Sequence, residues 1–387
     1  MFFVVAFGVV ALLNLYLWKR LVADTTAPRT RSRRIGTAAL VVLFLLVVGA
    51  LVFGTSVDPD IARWIAWPGY LWLALGFYVL LTLLVLEVPR LALRRWARRE
   101  PETGERQGVS RRVLLARGSA AVAGAVAAGL VGYGTSVALG PPSITRVPIT
   151  LRRLDPRASG FRIALISDVH LGPISGRAFI QRIVDMINAE RPDAVAIVGD
   201  LVDGDVEHLA EAVAPLADLR STHGTYFVTG NHEYYSGYEQ WLMHLPTLGI
   251  RALRNQHVEI THNGGVFDLA GINDATAYLY HDGGDVGKAL AGRDPDRAVV
   301  LLAHQPADLH NAVRHDVDLL LAGHTHGGQL TPFELIVSLQ QGAVAGRYDV
   351  EGTTMYVTRG AGFWGPPVRV GAPPDITVVE LVSGQRA

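Results

Sequence analysis

Ile163-Ala164-Leu165-Ile166-Ser167-Asp168-Val169-His170 is an apolar run that ends in a carboxylate and an imidazole, and four similar units follow it. Short apolar runs closed by glycine or polar residues are typical of buried strands and the loops at their carboxyl ends. The clusters that close the five runs are Ser167-Asp168-Val169-His170, Gly199-Asp200-Leu201-Val202-Asp203, Gly230-Asn231-His232-Glu233, Ala303-His304 and Gly323-His324-Thr325-His326. Because open α/β sheets bind ligands at the carboxyl ends of their strands, we expect all five clusters at one edge.

The residue types in these clusters are those of a metal site. Imidazole and carboxylate suit Mn, Fe and Zn, and thiolate ligation is excluded because the chain has no cysteine. Asp200 is the most diagnostic residue, because it ends an apolar strand, where a carboxylate without a cation partner would be costly. A carboxylate also has two oxygens, so it can touch both members of a metal pair about 3.5–4 Å apart.

The five motifs together resemble the calcineurin-like metallophosphoesterase superfamily, over roughly Arg146 to Glu380. One motif alone is a weak signal, but all five in the expected order are specific. The resemblance implies an α/β fold with a four-layer α/β/β/α sandwich, and two divalent metal ions (Mn, Fe or Zn). It also implies hydrolysis of a phosphoester by metal-hydroxide attack, so that no protein nucleophile is required.

Carried over position by position, the resemblance gives seven cluster residues a metal-binding role. Asp168, His170 and His326 resemble the ligands of one metal. Asn231, His304 and His324 resemble the ligands of the other metal, and Asp200 resembles the bridging carboxylate. A polar side chain that simply satisfies its own loop is the alternative for any one of these residues, but not for the whole set.

Three more cluster residues are expected to act beside the metals. His232 resembles the histidine that protonates the leaving group, although an eighth ligand or a structural cap is the alternative. Asp203 and Glu233 are expected to form hydrogen bonds around the site rather than to bind metal. Outside the clusters, Arg359 and Arg369 are candidates for binding substrate phosphate, because arginine presents a planar fork to phosphate oxygens; structural salt bridges are the alternative.

Composition divides the chain into two parts. Half of its 387 residues are hydrophobic, and all 13 histidines lie at or after His170. The mean hydropathy of +0.27 is too high for an ordinary soluble enzyme. The formal net charge is zero, so no global charge favours nucleic-acid binding. We therefore expect an apolar membrane region at residues 1–140 and a catalytic domain at residues 141–387.

Four apolar runs occupy the first region: Phe2–Trp18, Thr37–Gly54, Ile61–Val88 and Val113–Leu139. About 20 apolar residues cross a bilayer core, so the sequence predicts four transmembrane helices. The first run is short and also resembles the hydrophobic part of a signal peptide. Because no small-residue cleavage site precedes Lys19, we favour a retained helix.

The loops between these runs predict the orientation. Lys19–Arg34 and Arg90–Arg112 are rich in arginine, whereas Thr55–Asp60 has two aspartates and no basic residue. The positive-inside rule then places both Arg-rich loops in the cytoplasm and the catalytic half outside, in a multi-pass plasma membrane of bacterial type. The segment Ser110–Leu115, with Arg111-Arg112, also resembles an internal twin-arginine export signal, although ordinary positive flanking explains it equally well.

After the membrane region, apolar and amphipathic segments alternate in a β–α–β–α–β pattern that predicts right-handed crossovers and a parallel sheet. Helices are expected over Arg177–Glu190 and Val206–Leu219, around Tyr238–Leu248 and over Val286–Leu290. Early strands are expected at Ser143–Leu154, Ile163–Ile166, Ala194–Val198, Tyr226–Val228, Val258–Thr261 and Val266–Ala270. Later strands are expected at Val299–Leu302, Leu319–Leu321, Thr353–Val357 and Ile376–Leu381, with the last two in a second sheet.

The membrane region suggests a phosphodiester or pyrophosphate in a lipid, lipid-linked or cell-envelope substrate. Gly327-Gly328-Gln329, Thr358-Arg359-Gly360 and Pro373-Pro374-Asp375 resemble the membrane-associated branch of the superfamily, which includes enzymes that act on UDP-2,3-diacylglucosamine-type substrates. The predicted topology argues against that substrate, because nucleotide-sugar lipids are made inside the cell. Leu330–Leu339 and Phe363–Pro367 are either core packing or an apolar lip that admits lipid.

A protein of another class is the main alternative, namely a non-catalytic membrane sensor that binds metal or lipid phosphate. Degenerate members of enzyme families usually lose a metal ligand. Every motif position is filled in this chain, so the sequence favours the enzyme.

Overall fold

The structure is a computed structural model that describes residues 2–54, 57–93 and 110–384. Two compact units form, one of Met1–Phe53 and Trp64–Thr135, and one of Gly54–Arg63 and Ser136–Ala387. The domain boundary at residue 140 stays a prediction.

The first unit is built from helices. Their bounds are α1 Phe2–Trp18, α2 Arg31–Phe53, α3 Pro59–Ala92 and α4 Arg111–Leu139, and a π-helical turn at Lys19–Ala23 follows α1. Within the described ranges, α2, α3 and α4 are long and apolar enough to cross a membrane. The expectation of four transmembrane helices is corrected to three candidates, because the 17 residues of α1 extend only about 26 Å against a hydrocarbon core of about 30 Å.

Ion pairs connect charged residues of the first unit. Asp24 accepts from Arg20 at 3.0 Å and lies 3.7 Å from Arg112, and Glu87 lies 3.0 Å from Arg90. Residues 94–109 of the Arg-rich loop Arg90–Arg112 and residues 55–56 of the acidic loop Thr55–Asp60 lie outside the described residues. The predicted orientation and the export signal therefore stay predictions.

Among the described residues of the second unit, twelve strands form two six-stranded sheets. Their bounds are β1 Ser143–Leu151, β2 Phe161–Ile166, β3 Ala194–Val198, β4 Thr225–Val228, β5 Ile250–Ala252, β6 Gln256–His262, β7 Gly265–Gly271, β8 Val299–Leu302, β9 Leu319–Ala322, β10 Gly346–Val350, β11 Thr353–Val357 and β12 Asp375–Ser383. The strand order is β1-β12-β2-β3-β4-β5 in the first sheet and β10-β11-β9-β8-β7-β6 in the second. Both sheets are mixed, with parallel strands at their centres.

Strand pairing confirms one expectation and corrects another. β2, β3 and β4 pair in parallel as the sequence predicts, and Thr353–Val357 lies in the second sheet. The assignment of Ile376–Leu381 to the second sheet is wrong, because β12 lies in the first sheet between β1 and β2. There Ile376 pairs with Ile144 in parallel and Val379 pairs with Ile163 in antiparallel. Local periodicity predicts a strand but does not encode which distant strand it pairs with.

In the described part of the second unit, seven α-helices flank the sheets. Their bounds are α5 Arg177–Glu190, α6 Val206–Val213, α7 Asn231–Tyr235, α8 Tyr238–His244, α9 Val286–Ala289, α10 Leu309–Arg314 and α11 Glu334–Gln341. The helix predicted to reach Leu219 ends at Val213, and the one predicted around Tyr238–Leu248 ends at His244. In both cases a 3₁₀ turn containing proline follows, because proline cannot donate the backbone hydrogen bond that an α-helix interior needs.

Three clusters of buried apolar residues hold the second unit together. The largest contains side chains of both sheets, such as Leu165 and Val198 from the first and Leu302 and Leu321 from the second. A second cluster joins the first sheet to α5, α6 and α8, and a third joins the second sheet to α9 and α10. The fold is thus a mixed α/β structure, and its expected four-layer order stays a prediction.

Candidate metal centre

The seven predicted metal ligands lie directly after five strands. Asp168 and His170 follow β2, Asp200 follows β3, and Asn231 is the first residue of α7, after β4. His304 follows β8 of the second sheet. His324 and His326 follow β9, so both sheets contribute residues to one group of loops.

Five of these seven residues have a left-handed backbone. The φ angles are 55° for Asp168, 48° for His170, 52° for Asp200, 69° for His324 and 50° for His326. This conformation costs a non-glycine residue roughly 1–2 kcal/mol. Residues with this backbone conformation occur where the surrounding structure fixes them, often at functional sites. The presence of five such residues in one group of loops therefore indicates a functional site.

Gly199 allows three of these loops to approach each other closely. Its φ is +83°, and a Cβ at this position would lie 2.5 Å from the backbone nitrogen of Gly230 and 2.7 Å from Nδ1 of His304. Any larger residue would therefore separate the ends of β3, β4 and β8. Glycine at this position explains how Asp200, Asn231 and His304 come together.

The first predicted ligand group forms a compact cluster. Nε2 of His170 lies 3.0 Å from Nε2 of His326, and Nε2 of His326 lies 3.3 Å from Oδ1 of Asp168. One candidate ligand atom from each of the three residues lies within 4.8 Å of the other two. This is the geometry of three donors that face a common point.

Asp200 connects the first cluster to a second. Its Oδ2 lies 3.2 Å from Nε2 of His304, and Nδ1 of His324 lies 3.1 Å from the same imidazole nitrogen. Oδ2 of Asp200 also lies 3.7 Å from Nε2 of His170. A third candidate donor group, His170, Asp200 and His232, overlaps both clusters. One carboxylate therefore stands between two sets of imidazoles.

Asn231 provides the test of whether a cation fits here. Its Oδ1 is buried and has no hydrogen-bond partner among the described residues. Leaving a buried amide oxygen without a partner costs about 1–3 kcal/mol, so such an atom needs an explanation. Coordination of a cation supplies the missing partner, and the surrounding nitrogen and oxygen donors are those that Mn, Fe and Zn accept. The residues present therefore fit a divalent metal.

Charge within the cluster shifts its pKa values in opposite directions. Burial acts to raise the pKa of Asp200, but the charges of His304 and His232 outweigh it and hold this pKa well below its usual value. Burial acts to lower the pKa of His304, but the Asp200 carboxylate raises it well above the ordinary range. His326 behaves oppositely, since burial and the neighbouring His170 hold its pKa well below the usual value.

His232 lies beside the cluster with one ring nitrogen already engaged. Its Nδ1 lies 2.6 Å from Oδ1 of Asp203, and its backbone nitrogen donates to Oδ1 of Asp200 at 2.9 Å. Burial acts to lower the pKa of His232, but the carboxylates of Asp200 and Asp203 raise it to about 9. The imidazole is thus held as a proton-carrying group whose Nε2 is free of Asp203.

Glu233 links the loops that follow β3 and β4. Its carboxylate accepts hydrogen bonds from the backbone nitrogens of Asp200 (3.0 Å), Leu201 (2.8 Å) and Gly230 (2.6 Å). Its side chain is buried, and all three donors belong to the site loops. These hydrogen bonds hold the loops after β3 and β4 together, and the predicted role of Glu233 in the site stays a prediction.

The two candidate arginines lie in different surroundings. Arg359 is 39% exposed and its Nη1 lies 3.7 Å from Asp375. Arg369 is fully buried and donates to backbone oxygens of His326, Ala372, Arg359 and Gly362. Its donors are therefore engaged within the protein. This placement does not suit the predicted contact of Arg369 with substrate, whereas Arg359 stays accessible.

Sequence reasoning missed the aromatic side chains beside His232. The rings of Tyr235 and Trp364 both contact its imidazole edge-on. Tyr235 could have been found from its position three residues after His232 in a helix, because residues three apart share a helix face. The sequence places Trp364 only in a possible apolar lip, and no local pattern links it to His232.

Comparison with known protein families identifies a family model that matches this chain. Residues 161–328 match the family described as calcineurin-like phosphoesterase, a segment that contains all seven predicted metal ligands and His232. The chain is 36% identical over 391 residues to a zebrafish (Danio rerio) protein named transmembrane protein with metallophosphoesterase domain. That similarity covers 95% of this chain and 86% of the zebrafish protein, including the helical region.

Two further relatives carry related names. A bovine (Bos taurus) transmembrane protein with metallophosphoesterase domain is 42% identical over 254 residues, covering 62% of this chain and 57% of the bovine protein. A Helicobacter pylori protein named uncharacterized metallophosphoesterase is 41% identical over 264 residues, covering 67% of this chain and 70% of that protein. These names state no substrate, so the more specific resemblance to enzymes of UDP-diacylglucosamine stays a prediction.

Proposed function

This chain belongs to the calcineurin-like phosphoesterase family, and on that premise we propose that it is a membrane-anchored, dinuclear metal-dependent hydrolase of a phosphodiester or pyrophosphate. Its metal ligands are those that the sequence predicts. Asp168, His170 and His326 would hold one metal. Asn231, His304 and His324 would hold the other, and Asp200 would contribute a carboxylate oxygen to each.

The position of Asp200 carries this proposal. Its Oδ2 lies 3.2 Å from His304 and 3.7 Å from His170, so one carboxylate reaches both donor groups. A carboxylate with two oxygens is well suited to hold a pair of metals together. The orphaned Oδ1 of Asn231 adds a donor that otherwise has no role.

The chain's own residues position the substrate and move a proton. When bound, the two cations supply an activated water as nucleophile and neutralise charge on the phosphate oxygens. His232 gives its Nε2 proton to the departing oxygen, because Nδ1 is bound to Asp203. Arg359, which is partly exposed, contacts a phosphate oxygen of the substrate.

Exposed apolar side chains support a lipid or lipid-linked substrate. On α11, Leu335 is 64% exposed, Ile336 55% and Leu339 89%, and Phe333 directly before the helix is 44% exposed. These residues follow the loop of His324 and His326, so an apolar surface begins a few residues from the site. Phe363, by contrast, is buried and packs against Phe179. Only part of the expected lip is therefore accessible.

The chain itself supplies the membrane anchor in this proposal. Helix α4 is a candidate membrane span, and only Gly140-Pro141-Pro142 separates its end from β1. A linker of this length extends at most about 14 Å, so the catalytic unit acts close to a membrane. We propose the extracytoplasmic side, on the arginine distribution of the loops.

The experiment that tests this function is hydrolysis of a bis-aryl phosphate and of total membrane lipid by the purified full chain. The protein is stripped of metal and then supplied with Mn, Zn or Fe, with His232→Ala alongside. Metal-restored release of headgroup or phosphate from lipid, absent in the variant, supports a lipid phosphoesterase. Activity on the aryl diester alone keeps the chemistry but rejects a lipid substrate. Two bound metals with no hydrolysis would favour the sensor.

A further inference from the structure

Two exposed aromatic side chains stand beside the proposed proton donor. The ring centroid of Tyr235 lies 5.6 Å from that of His232, with the planes at 69°, and the ring of Trp364 lies at 5.9 Å and 71°. Tyr235 is 60% exposed and Trp364 47%. The His232 side chain between these contacts is only 15% exposed. Large apolar faces therefore remain accessible at the one residue that must meet the leaving group.

Both rings are fixed to segments that carry site residues. Tyr235 ends α7, the helix that begins with Asn231 and contains His232. Trp364 is held through its backbone, since its nitrogen donates to Oε1 of Gln329 at 3.1 Å and its oxygen accepts from Nε2 of Gln329 at 3.0 Å. Gln329 follows His326 by three residues. The rings are thus positioned together with the metal cluster.

The hydrogen bonding of His232 determines what can lie against these rings. Its Nδ1 is occupied by Asp203, so Nε2 is the nitrogen that faces a leaving oxygen. That oxygen must approach to about 2.6–3.2 Å for proton transfer. A substituent on the same oxygen then lies within contact distance of side chains that themselves touch the imidazole.

We propose that Tyr235 and Trp364 form a leaving-group subsite for an alcohol that carries a flat ring, such as an aromatic ring or a nucleobase. Aromatic side chains bind such a ring by offset or edge contacts in addition to the area that they bury. The subsite would determine which class of alcohol is released at the proposed catalytic centre. This proposal therefore rests on the proposed function. It also differs from the apolar surface of α11, whose residues make no ring contact with His232.

The test compares two phosphodiesters whose leaving alcohols differ in the ring but little in acidity. Benzyl methyl phosphate releases benzyl alcohol, and ethyl methyl phosphate releases ethanol. In each case water adds to phosphorus, the P–O bond to the alcohol breaks, and the alcohol oxygen takes a proton. The metal-loaded full chain should show a kcat/KM for the benzyl ester that exceeds that for the ethyl ester by about three- to tenfold or more.

Variants of Trp364 and Tyr235 test whether these two rings cause the preference for the benzyl ester. Trp364→Ala and Tyr235→Ala should each reduce kcat/KM for the benzyl ester by about three- to tenfold more than they reduce kcat/KM for the ethyl ester. Trp364→Phe should restore most of the preference, because it keeps an aromatic face. Tyr278→Ala is the matched control, because Tyr278 is 80% exposed in the same unit and should not affect the preference.

Equal rates for the two esters, or equal losses on both in Trp364→Ala at unchanged metal content, would overturn the subsite. A binding measurement separates this result from failure of the catalytic proposal. The analogues 2-phenylethylphosphonate (the benzyl analogue) and propylphosphonate (the ethyl analogue) are titrated into the metal-loaded chain, because in each a P–C bond that hydrolysis does not cleave replaces the P–O bond to the leaving alcohol. Tighter binding of the benzyl analogue that depends on Trp364 supports the subsite even without turnover. Equal binding of both analogues, together with no turnover, rejects it.

Discussion

Oδ1 of Asp203 lies 2.6 Å from Nδ1 of His232 and 2.9 Å from Nδ1 of His170. One carboxylate oxygen thus orients both the proposed proton donor and a proposed metal ligand. Because it accepts from Nδ1 of each ring, it directs the Nε2 atom of each toward the cluster. Partners of this kind commonly fix the tautomer of ligand histidines and increase their basicity.

Asp203→Asn should reduce turnover by about 10- to 100-fold, the range typical of outer partners of metal ligands. The Asp203 charge helps to raise the pKa of His232 to about 9, so its loss should also lower that pKa. His232 would then lose its proton at a lower pH than in the wild type. The alkaline limb of the pH–rate profile should therefore shift to lower pH. The measurement is kcat/KM against pH for wild type and variant.

Asp205→Asn is the matched control for this prediction. Asp205 is on the same loop and caps α6 through the backbone nitrogen of His208 at 3.0 Å, without a hydrogen bond to His232. Because asparagine caps a helix about as well as aspartate, this variant should change the free energy of unfolding by less than about 0.5 kcal/mol and leave the pH–rate profile in place. An unchanged alkaline limb in Asp203→Asn would contradict the proposed role of that residue.

Asn231→Ala should lower metal content from two ions to about one per chain. The buried Oδ1 of Asn231 has no other partner among the described residues, so its removal takes a donor from one metal and leaves Asp168, His170 and His326 intact. Asp200→Asn should weaken the binding of both ions, because Asp200 stands between the two groups of candidate metal ligands. Elemental analysis after gel filtration measures the number of metal ions per chain. Two tightly bound ions in both variants would refute the ligand assignment.

Local sequence patterns predicted the parts of this molecule that depend on neighbouring residues. The bounds of α5, β3, β8 and β11 agree with the expected segments, because amphipathic or apolar periodicity determines them. The site loops were predictable for a similar reason, since each polar cluster directly follows an apolar strand. The structure then brings Asp168, Asp200 and His304 together from strands far apart in sequence.

Features that depend on distant contacts were not predictable. The pairing of β12 between β1 and β2 involves residues more than 200 positions apart, and the apolar pattern of β12 suits either sheet. The burial of Arg369 was also not predictable from the sequence. Its guanidinium is stabilised by backbone oxygens of the loops around His326 and Gly362. The spacing of residues along the sequence does not indicate that these loops enclose the side chain.

Arg369→Gln should destabilise the protein by at least about 3 kcal/mol, because several buried backbone oxygens lose a charged donor. The same change should affect the metal held by His326, whose Nδ1 lies 3.2 Å from Nη2 of Arg369. Arg359→Gln, at a partly exposed position, should instead raise KM with little effect on stability. Thermal unfolding and steady-state kinetics on both variants distinguish the roles, and a stable Arg369→Gln with only a raised KM would restore Arg369 as a substrate contact.

Metal binding should release protons, and affinity should therefore rise with pH. The Asp200 carboxylate raises the pKa of His304 well above the ordinary value, so in the metal-free protein this imidazole carries a proton at neutral pH. An imidazole must lose this proton before its nitrogen can bind a metal, so the proton leaves on binding. His326 has a lowered pKa and contributes no proton. Calorimetry in two buffers of different ionisation enthalpy counts the protons, and a count near zero would contradict this.

Replacing Leu335 and Leu339 by glutamate should selectively reduce hydrolysis of lipid. Both side chains are exposed on α11, so the substitution leaves the buried clusters unchanged and should alter stability by less than about 1 kcal/mol. Hydrolysis of a soluble aryl diester should then stay within about twofold of wild type, whereas hydrolysis of lipid in vesicles should fall by tenfold or more, because carboxylates oppose contact with an apolar phase. Met243→Glu on α8 is the control, since Met243 is 71% exposed in the same unit. Equal effects of the α11 and Met243 variants on lipid would show that α11 has no special part in lipid access.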